Sequence, residues 1–558
     1  MTHVANLSID TSPATRPALT REIARATIGI AAVLAFTGDV LLFDDPVGLG
    51  FGIWIALLTL AMIELAWRDD RSLPREAAAW LAIAVLFAGA VAWRSAAELR
   101  ALDLLATAGA LGLAAVTLRS TRAGLFALRA GETLSVALSV LGSIAMGAVP
   151  LAWHDALAGD GTPSGAVDAS TSNRGLATRL RPALLAIVVL LVFGALLRGA
   201  DPIFASWLSL PAIPIDVVIP RLLLFGFFAW ITAGWARGAL LPPPAVKRMA
   251  PLPFALGVAD VTAVLGALGA LFALFVIAQL GWYFGGEAFL RERTGLTAAA
   301  YARSGFFQLV WVVLLVVPVL AGTRAALAPD PAVARRHTIL SVPVLVLLGA
   351  MILSALSRMK LYVHYYGLTL DRLYPLVFMA WLAVLLVWMA CTVLRGRPRP
   401  FAAGAVLSAF VAVAALNIMN PHAIVARVDV GRAAPASSPA GAAGASASGI
   451  APLDLVHLAS LSGDAAAIVV PAVIGAPATD AERCAAARQL IRLWGPDARI
   501  RTRDDRDAAW RWWNAGDEAG LRVELANDAA LHRALHASCG AAHSTGAATV
   551  AKQRLDQR

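Results

Sequence analysis

Long, nearly uninterrupted apolar stretches alternate with short polar segments along most of the chain. Twelve of these stretches have the length that an α-helix needs to cross a bilayer, which is about 20 residues. Because the stretches are continuous, and because only helices and closed barrels satisfy their backbone groups in lipid, the pattern predicts an all-α, polytopic transmembrane helix bundle. The predicted spans are 27–43, 50–67, 78–93, 102–118, 132–153, 183–198, 217–235, 257–282, 305–322, 338–357, 374–394 and 401–417.

The same pattern divides the chain into four segments. Residues 1–26 form a polar N-terminal tail without the apolar core of a secretory signal, and 27–432 form the multi-pass transmembrane domain. Residues 433–449 are an Ala/Gly/Ser-rich flexible linker, and 450–558 are predicted to be a small soluble helical domain. Within it we predict helices over 480–494, about 504–526 and 528–540.

Composition supports the membrane assignment. The chain has 558 residues, 59% of them hydrophobic, and a mean hydropathy of +0.72. Only 15% are charged, against about 25% in soluble domains. The net charge of +10 comes from arginines in short segments between the apolar stretches, which is typical of topology signals and not of a nucleic-acid surface. The expected partner is therefore the bilayer and not nucleic acid.

Basic loops give an orientation. Segments 236–256, 324–337 and 395–400 are basic and alternate consistently, so we assign all three to the cytoplasm. This predicts a bacterial inner-membrane protein with a periplasmic C-terminal domain. The N-terminus and segment 119–131 are also basic, but with twelve spans they disagree with the C-terminal half by one crossing. Either one span is miscounted or one basic loop faces outward.

Polar side chains inside the predicted spans are rare and costly, and they usually face the bundle interior or a wet cavity. The candidate intramembrane polar site comprises Asp39, Arg221, Asp260, Arg303 and Gln308. Arg221 and Asp260 lie on consecutive spans, so they are candidates for the kind of ion pair that a proton- or ion-coupled carrier needs. The alternatives are a structural ion pair or interfacial charges, with Arg303 snorkelling to the headgroups.

A polar hairpin, "RMKLYVHYYGLTLDRLY", separates two of the apolar stretches at 358–374. One interpretation is purely structural: a helix end, an aromatic belt, a glycine turn and a capped restart. The other is an interfacial site in which basic side chains face an anionic headgroup or solute. The candidate residues are Arg358, His364, Tyr366, Gly367, Thr369 and Arg372.

The C-terminal segment offers two incompatible uses for one cysteine. Cys484 and Cys539 are candidates for a disulfide in an oxidising compartment. A weaker alternative is a metal site formed by His532, His536 and Cys539, whose spacing suits one helix face. A third interpretation leaves two unrelated thiols.

Several stretches of the sequence resemble motifs of a known protein family. "YYGLTLDRLYPL" resembles the Y-G-L-T-x-x-R-x-Y signature of uncharacterised bacterial polytopic membrane proteins, the domain of unknown function 4173 family and its relative 4153. Further similar stretches are "GDVLLFDDPVGLG", "QLGWYFGG", "NIMNPHAIVARVDVGR", "PLDLVHLASLSGDA" and "AAWRWWN". The resemblance implies membrane topology and supplies no reaction.

No catalytic residue or cofactor is predicted, because phosphate-loop, H-E-x-x-H and G-x-S-x-G patterns are all missing from the sequence. The first functional expectation is a transporter- or channel-like protein for a solute, ion or lipid. The alternative is a non-enzymatic scaffold or sensor that binds a partner through its C-terminal domain. A weaker third interpretation is an integral-membrane enzyme that acts on lipid carriers, which would need paired acids or a nucleophile at one membrane face. A cavity lined by the intramembrane polar residues would favour transport, and a solid bundle would favour the scaffold.

Overall fold

The structure is a computed structural model, and it describes most of the chain in separate ranges. These are residues 20–43, 47–70, 72–119, 140–156, 215–240, 255–294, 306–397, 399–433, 453–475, 480–494 and 510–555, with isolated positions between 138 and 197. Within these ranges the fold is all-α, and a single β-bridge joins Leu256 and Leu327.

The longer helices are numbered in chain order. They are α1 (Arg21–Leu42), α2 (Leu49–Arg68), α3 (Arg75–Trp93), α4 (Ala97–Arg119), α5 (Ile215–Leu240), α6 (Val258–Thr294), α7 (Phe306–Ala325), α8 (Pro331–Tyr366), α9 (Leu370–Thr392), α10 (Arg399–Met419), α11 (Pro421–Ala433), α12 (Leu455–Ala459), α13 (Ala466–Gly475), α14 (Asp480–Trp494) and α15 (Ala515–Leu555). Short helical turns occur at Ala148–Pro150, Leu151–Asp155 and Gly463–Ala465.

Ten described helices, α1 to α10, are long and apolar enough to cross a membrane. They coincide with ten of the predicted spans, which confirms the polytopic bundle. Of the other two predicted spans, 132–153 is described at 138 and from 140 onward, and 183–198 is described only at isolated positions. Large apolar side chains such as Val33, Phe36 and Leu60 point outward on these helices. An exposed apolar surface of this kind suits a lipid solvent.

Two apolar cores hold the spans together. The first lies between α1, α2, α3, α4 and α5 and contains Ile55, Met62 and Leu81. The second lies between α6, α7, α8 and α9 and contains Leu348 and Leu382. Helix α10 connects the second half back to the first.

Specific contacts fix the neighbours of the first core. The Trp54 indole donates to the Leu34 carbonyl at 2.9 Å and packs 4.8 Å from the Phe228 ring, which joins α2 to α1 and α5. Phe410 of α10 lies 5.2 Å from the Trp80 ring of α3.

A third core joins the C-terminal segment to the bundle. It combines Leu368 and Leu373 at the α8–α9 turn with Val425 of α11, and these pack with Val470 and Leu531 of the C-terminal helices. Helix α11, which the sequence placed in the transmembrane domain, therefore shares its core with the C-terminal domain. The predicted helix break before Asp528 is wrong, because α15 runs unbroken through it.

The bundle has two distinct ends. We call the end that meets the C-terminal segment the domain end, and it carries loops 48–50, 94–96, 367–369 and 417–422. The opposite end, which carries Arg237, Arg324 and Arg336, is the arginine end.

Helices α4 and α5 both run from the domain end to the arginine end. Arg221, near the start of α5, reaches Asp39 near the end of α1, and the indole of Trp235 donates to the Leu111 carbonyl far along α4. Helices α4 and α5 are therefore parallel to each other.

Candidate functional site

The ion pair predicted between Arg221 and Asp260 is wrong. Arg221 Nη1 lies 3.1 Å from Asp39 Oδ2, and its guanidinium packs 4.4 Å from the Phe43 ring. The Asp39 carboxylate is 12% exposed and the Arg221 side chain 48% exposed, so the pair opens to the surface of the bundle at the domain end. Arg221 pairs with Asp39 because α5 packs against α1, even though α6, which carries Asp260, follows α5 in the chain.

The other intramembrane candidates do not join this pair. Asp260 lies at the arginine end, where its Oδ2 accepts a hydrogen bond from the Gly257 N–H at 2.9 Å and so satisfies an orphan donor at the start of α6. Gln308 is exposed in the first turn of α7, and Arg303 lies outside the described residues. The described members of the predicted intramembrane site are therefore dispersed.

The glycine turn at the domain end has a tight geometry. Helix α8 ends at Tyr366, and Gly367 has φ 80° and ψ 178°, a conformation that is essentially restricted to glycine. A Cβ at this position would lie 2.7 Å from Asp429 Oδ1 and 2.8 Å from Arg432 Nη2. The turn therefore needs glycine for its backbone angle and for the close approach of α11.

Arg372 folds back on this turn. It donates to the carbonyls of Tyr366, at 3.0 Å, and of Gly367, and its guanidinium lies 4.2 Å from the Tyr362 ring centroid. These contacts satisfy carbonyls that the end of α8 leaves unpaired. Arg372 therefore completes the hairpin, in agreement with the structural interpretation of this motif.

The remaining hairpin candidates are also placed. Arg358 is buried, and Thr369 is the N-cap residue of α9 but makes no side-chain capping hydrogen bond. The side chain of His364 lies outside the described residues. The backbone N–H of Leu368, just before Thr369, donates a hydrogen bond to Asp429 Oδ1 of α11 at 2.8 Å. Burial raises the pKa of the Asp429 carboxyl, although the Leu368 hydrogen bond acts in the opposite direction.

A buried carboxylate attaches the C-terminal domain to the start of α4. Asp464 Oδ2 accepts hydrogen bonds from the Ser95 N–H at 2.8 Å, the Ser95 hydroxyl at 3.0 Å and the Ala96 N–H at 3.2 Å. Asp464 Oδ1 lies 3.5 Å from Arg94 Nη1, and the Asp464 side chain is 2% exposed. A residue 369 positions away thus caps α4, where the helix dipole favours an anion.

Polar groups on both sides of Asp464 extend this attachment. Asn420 Nδ2 donates to the Asp464 carbonyl at 3.2 Å, and Arg94 Nε donates to the Asn417 carbonyl at 2.8 Å. We call the set that these contacts connect the docking cluster. It comprises Arg94, Ser95, Glu98, Asn417, Asn420, His422, Ser462 and Asp464.

His422 holds a fixed tautomer in the docking cluster. Its Nδ1 accepts the Ser462 N–H at 2.9 Å, so its proton lies on Nε2, which faces Glu98 Oε2 at 3.3 Å. Burial lowers the pKa of His422, and the nearby Glu98 only partly offsets this. The imidazole is therefore neutral at neutral pH.

A second attachment lies around Asn514. Its Nδ2 donates to the Val91 and Arg94 carbonyls, each at 2.8 Å, and so caps the end of α3. Its Oδ1 accepts the Asp517 N–H at 3.1 Å at the start of α15. One amide therefore joins a membrane helix to the C-terminal domain.

The segment just before Asn514 binds the α1–α2 loop through its backbone. The Leu49 N–H donates to the Trp513 carbonyl at 3.1 Å, and the Gly50 N–H donates to the Arg511 carbonyl at 2.6 Å. The C-terminal domain thus contacts the loops after α1, α3, α8 and α10.

The C-terminal helices are also linked to each other. The structure has a disulfide between Cys484 of α14 and Cys539 of α15, with a Cα–Cα distance of 5.2 Å. This pairing removes Cys539 from the alternative metal site with His532 and His536. His532 Nδ1 instead lies 3.0 Å from Asp528 Oδ1.

Sequence reasoning missed the docking cluster, although five of its eight residues lie in stretches that carried the family resemblance. Ser462 and Asp464 are in "PLDLVHLASLSGDA", and Asn417, Asn420 and His422 are in "NIMNPHAIVARVDVGR". Asn514 of the second attachment ends "AAWRWWN". Polar residues inside such specific stretches were a usable signal.

A comparison with models of protein families identifies the family. The model of the family described as "Domain of unknown function (DUF4153)" matches residues 81–472. This range contains the docking cluster and stops before α14. No curated protein and no solved structure matches the chain.

Proposed function

The chain belongs to the DUF4153 family, a domain of unknown function, and we propose that it is a non-enzymatic membrane scaffold or sensor that presents a docked helical domain on one face of the bilayer. One observation carries this proposal. The largest set of connected polar side chains in the described residues lies at the domain end and holds the C-terminal domain to the helix ends.

The contacts of this domain support a fixed rather than a tethered arrangement. Asp464 and Asn514 cap membrane helices from a distance, and the third core is apolar and shared by both parts. Buried hydrogen bonds to charged groups and shared apolar cores both resist separation. A domain held in this way keeps a constant orientation to the membrane and can offer its outer surface to a partner.

Transport is less favoured by the positions of the charges. A carrier site would bring charged groups of different helices together near the middle of the membrane. Asp39 and Arg221 pair at the domain end, whereas Asp260 caps α6 at the arginine end. The described part of the chain therefore offers no convergence of these groups that would hold a cargo.

We further propose that the domain end faces the periplasm of a bacterial inner membrane. Arg25, Arg119, Arg237, Arg324 and Arg335 lie at or near the arginine end, and positively charged loops favour the cytoplasmic side. The Cys484–Cys539 disulfide fits an oxidising compartment around the C-terminal domain.

Photo-crosslinking tests the scaffold function. A photoreactive amino acid is placed at Leu493 or Leu525, exposed apolar positions of the C-terminal domain, and at the exposed Arg335 of the arginine end as a control. A scaffold gives discrete adducts from the domain positions, and these are lost when Asp464→Ala releases the domain. Adducts no more specific than those of Arg335, or an ion flux through proteoliposomes that Asp39→Asn abolishes, would overturn the proposal.

Cysteine labelling tests the orientation separately. In a Cys391→Ser background, Ala529→Cys reports on the domain and Arg335→Cys on the arginine end, since both positions are exposed. A membrane-impermeant maleimide should label Ala529→Cys in cells with a permeable outer membrane, and label Arg335→Cys only after the inner membrane is opened. The reverse pattern would place the domain in the cytoplasm.

A further inference from the structure

A completely buried carboxylate lies just beneath the docking cluster. Asp103 of α4 has no exposed surface, and its Oδ1 accepts a hydrogen bond from Asn417 Nδ2 of α10 at 2.7 Å. Its second oxygen, Oδ2, has no hydrogen-bond partner among the described residues. A buried carboxylate with an unsatisfied oxygen is costly unless something compensates it.

Two other buried oxygen atoms near Asp103 also have no hydrogen-bond partner among the described residues. Asn417 is 3% exposed, and its Oδ1 has no partner in the described part of the chain. The hydroxyl of Tyr374, in the first turns of α9, is also buried without a partner there. Tyr374 packs against Leu99, one turn before Asp103, and Leu416, the neighbour of Asn417. The three unsatisfied oxygens thus belong to residues of three helices, α4, α9 and α10, that pack together around Leu99 and Leu416.

The charges around this location leave one carboxylate unmatched. Asp464 is paired with Arg94 and bound by N–H groups, and Glu98 is partly exposed and contacts His422. Asp103 has only the neutral amide of Asn417. Asp103, Asn417 and Tyr374 therefore offer one negative charge and three unpaired oxygen atoms. This combination suits a cation that carries a single positive charge and prefers oxygen ligands.

We propose that Asp103, Asn417 and Tyr374 bind a dehydrated monovalent cation of the Na⁺ class between α4, α9 and α10. Oxygen ligands suit hard cations, and one carboxylate neutralises one unit of charge. Ca²⁺ is less suitable, because it takes six to eight oxygens and commonly several carboxylates. The proposal goes beyond the scaffold function and does not depend on it.

Such a cation would act on the docking cluster through Asn417. The Asn417 side chain would supply one ligand, while its backbone carbonyl accepts a hydrogen bond from Arg94 Nε at 2.8 Å. Arg94 also pairs with Asp464. Cation occupancy would therefore stabilise the residue that links α10 to the attached domain.

Direct binding of ²²Na⁺ to the detergent-solubilised full chain tests this site. Choline chloride keeps the ionic strength constant, and Glu64→Gln is the control, since Glu64 is an exposed carboxylate paired with Arg68. We expect saturable binding of one Na⁺ per chain in the wild type and in Glu64→Gln. Asp103→Asn should abolish it, and Tyr374→Phe, which removes one neutral ligand, should weaken it about tenfold.

The results that would overturn the proposal are equally specific. Wild-type protein that binds no ²²Na⁺ would show that the oxygens are satisfied by water or by a proton on Asp103. Unchanged binding in both Asp103→Asn and Tyr374→Phe would place Na⁺ elsewhere. If Asp103→Asn does not fold, Tyr374→Phe alone decides, because it alters only a hydroxyl. None of these readouts depends on partner crosslinking.

Discussion

The two ends of the bundle terminate their helices in different ways. At the arginine end the capping groups are local: Asp330 Oδ1 accepts the Ala332 N–H at 2.8 Å, and Asp260 Oδ2 accepts the Gly257 N–H at 2.9 Å. At the domain end they come from distant parts of the chain. Asp464 caps α4, Asn514 caps α3, and Asp429 binds the turn before α9.

This difference indicates which end depends on the C-terminal segment. A local cap forms with its helix and needs no other part of the protein. A distant cap forms only when the C-terminal segment has docked, and it is then buried, so its hydrogen bonds are made in a low dielectric. Stability at the domain end should therefore be cooperative with docking, whereas stability at the arginine end should not.

Removal of the Asp464 carboxylate should have the largest effect. Asp464→Ala leaves the half-buried Arg94 beside unsatisfied N–H groups, and the loss of one partner of a largely buried pair costs about 3–5 kcal/mol. The local cap gives the matched control, because Asp330→Ala should cost about 1 kcal/mol. Denaturant titration of the solubilised full chain measures both. Equal costs would mean that distant and local caps are energetically the same, and that the contrast between the ends is only geometric.

A pair of glycines tests the same contrast through the backbone. Gly367 and Gly396 have similar positive φ values, 80° and 75°, and lie at the domain end and the arginine end respectively. A Cβ at Gly396 would meet only Arg324 Nη2, at 3.8 Å, whereas one at Gly367 would clash with Asp429 and Arg432. Gly396→Ala should cost about 1–2 kcal/mol from backbone strain alone.

Gly367→Ala should cost more, about 3 kcal/mol, because strain is added to displacement of α11. The same titration measures both glycine variants, and trypsin cleavage after Arg432 reports whether α11 has moved. If Gly367→Ala is no worse than Gly396→Ala, the packing of α11 against the turn contributes nothing to the domain end.

The sequence allowed prediction of what is encoded locally. Continuous apolar stretches predicted the ten described spans, and the position of Gly367 predicted where α8 ends. Lateral neighbours are not encoded locally. The Arg221–Asp260 pair was predicted because the spans are consecutive, but α5 packs on α1, and uniformly apolar helices give no periodic signal that selects one neighbour.

The same limit applies to the candidate site. Asp464 and Ser95 are separated by 369 positions. The sequence around a carboxylate in a turn contains no signal for the helix end that it will bind. The two cysteines differ, because a disulfide was one of three uses that the sequence left open for them, and the structure shows it.

The amide of Asn514 allows a subtler comparison. Asn514→Asp keeps the acceptor for Asp517 but replaces two donors with a carboxylate that faces the Val91 and Arg94 carbonyls. We expect a loss of about 2–3 kcal/mol and faster proteolysis of the C-terminal domain. Asn527→Asp is the control, because the Asn527 Nδ2 bonds only within α15, to the Val523 carbonyl. If Asn527→Asp loses as much stability as Asn514→Asp, the added charge and not the lost hydrogen bonds explains the effect.

The smallest expected effect is a pH dependence confined to the domain end. Burial lowers the pKa of His422 below its usual value of about 6.5, so the folded protein resists protonation of this imidazole more than the unfolded chain does. Stability from this group is fully present above about pH 6.5 and is lost as the pH falls toward the lower pKa of the folded state. Asp429, whose pKa is raised by burial, acts in the opposite direction.

Protonation of His422 would place a proton on Nδ1, the atom that accepts the Ser462 N–H. Burial and His457 oppose the charged imidazole, whereas Glu98 and Asp464 favour it. Between about pH 7.5 and about pH 5.5, protease release of the C-terminal domain should increase in the wild type. His422→Asn, which keeps an acceptor for Ser462, should flatten this profile, while the exposed His536→Asn should not. If the pH profile persists in His422→Asn, other groups cause the pH dependence and the docking cluster does not respond to pH.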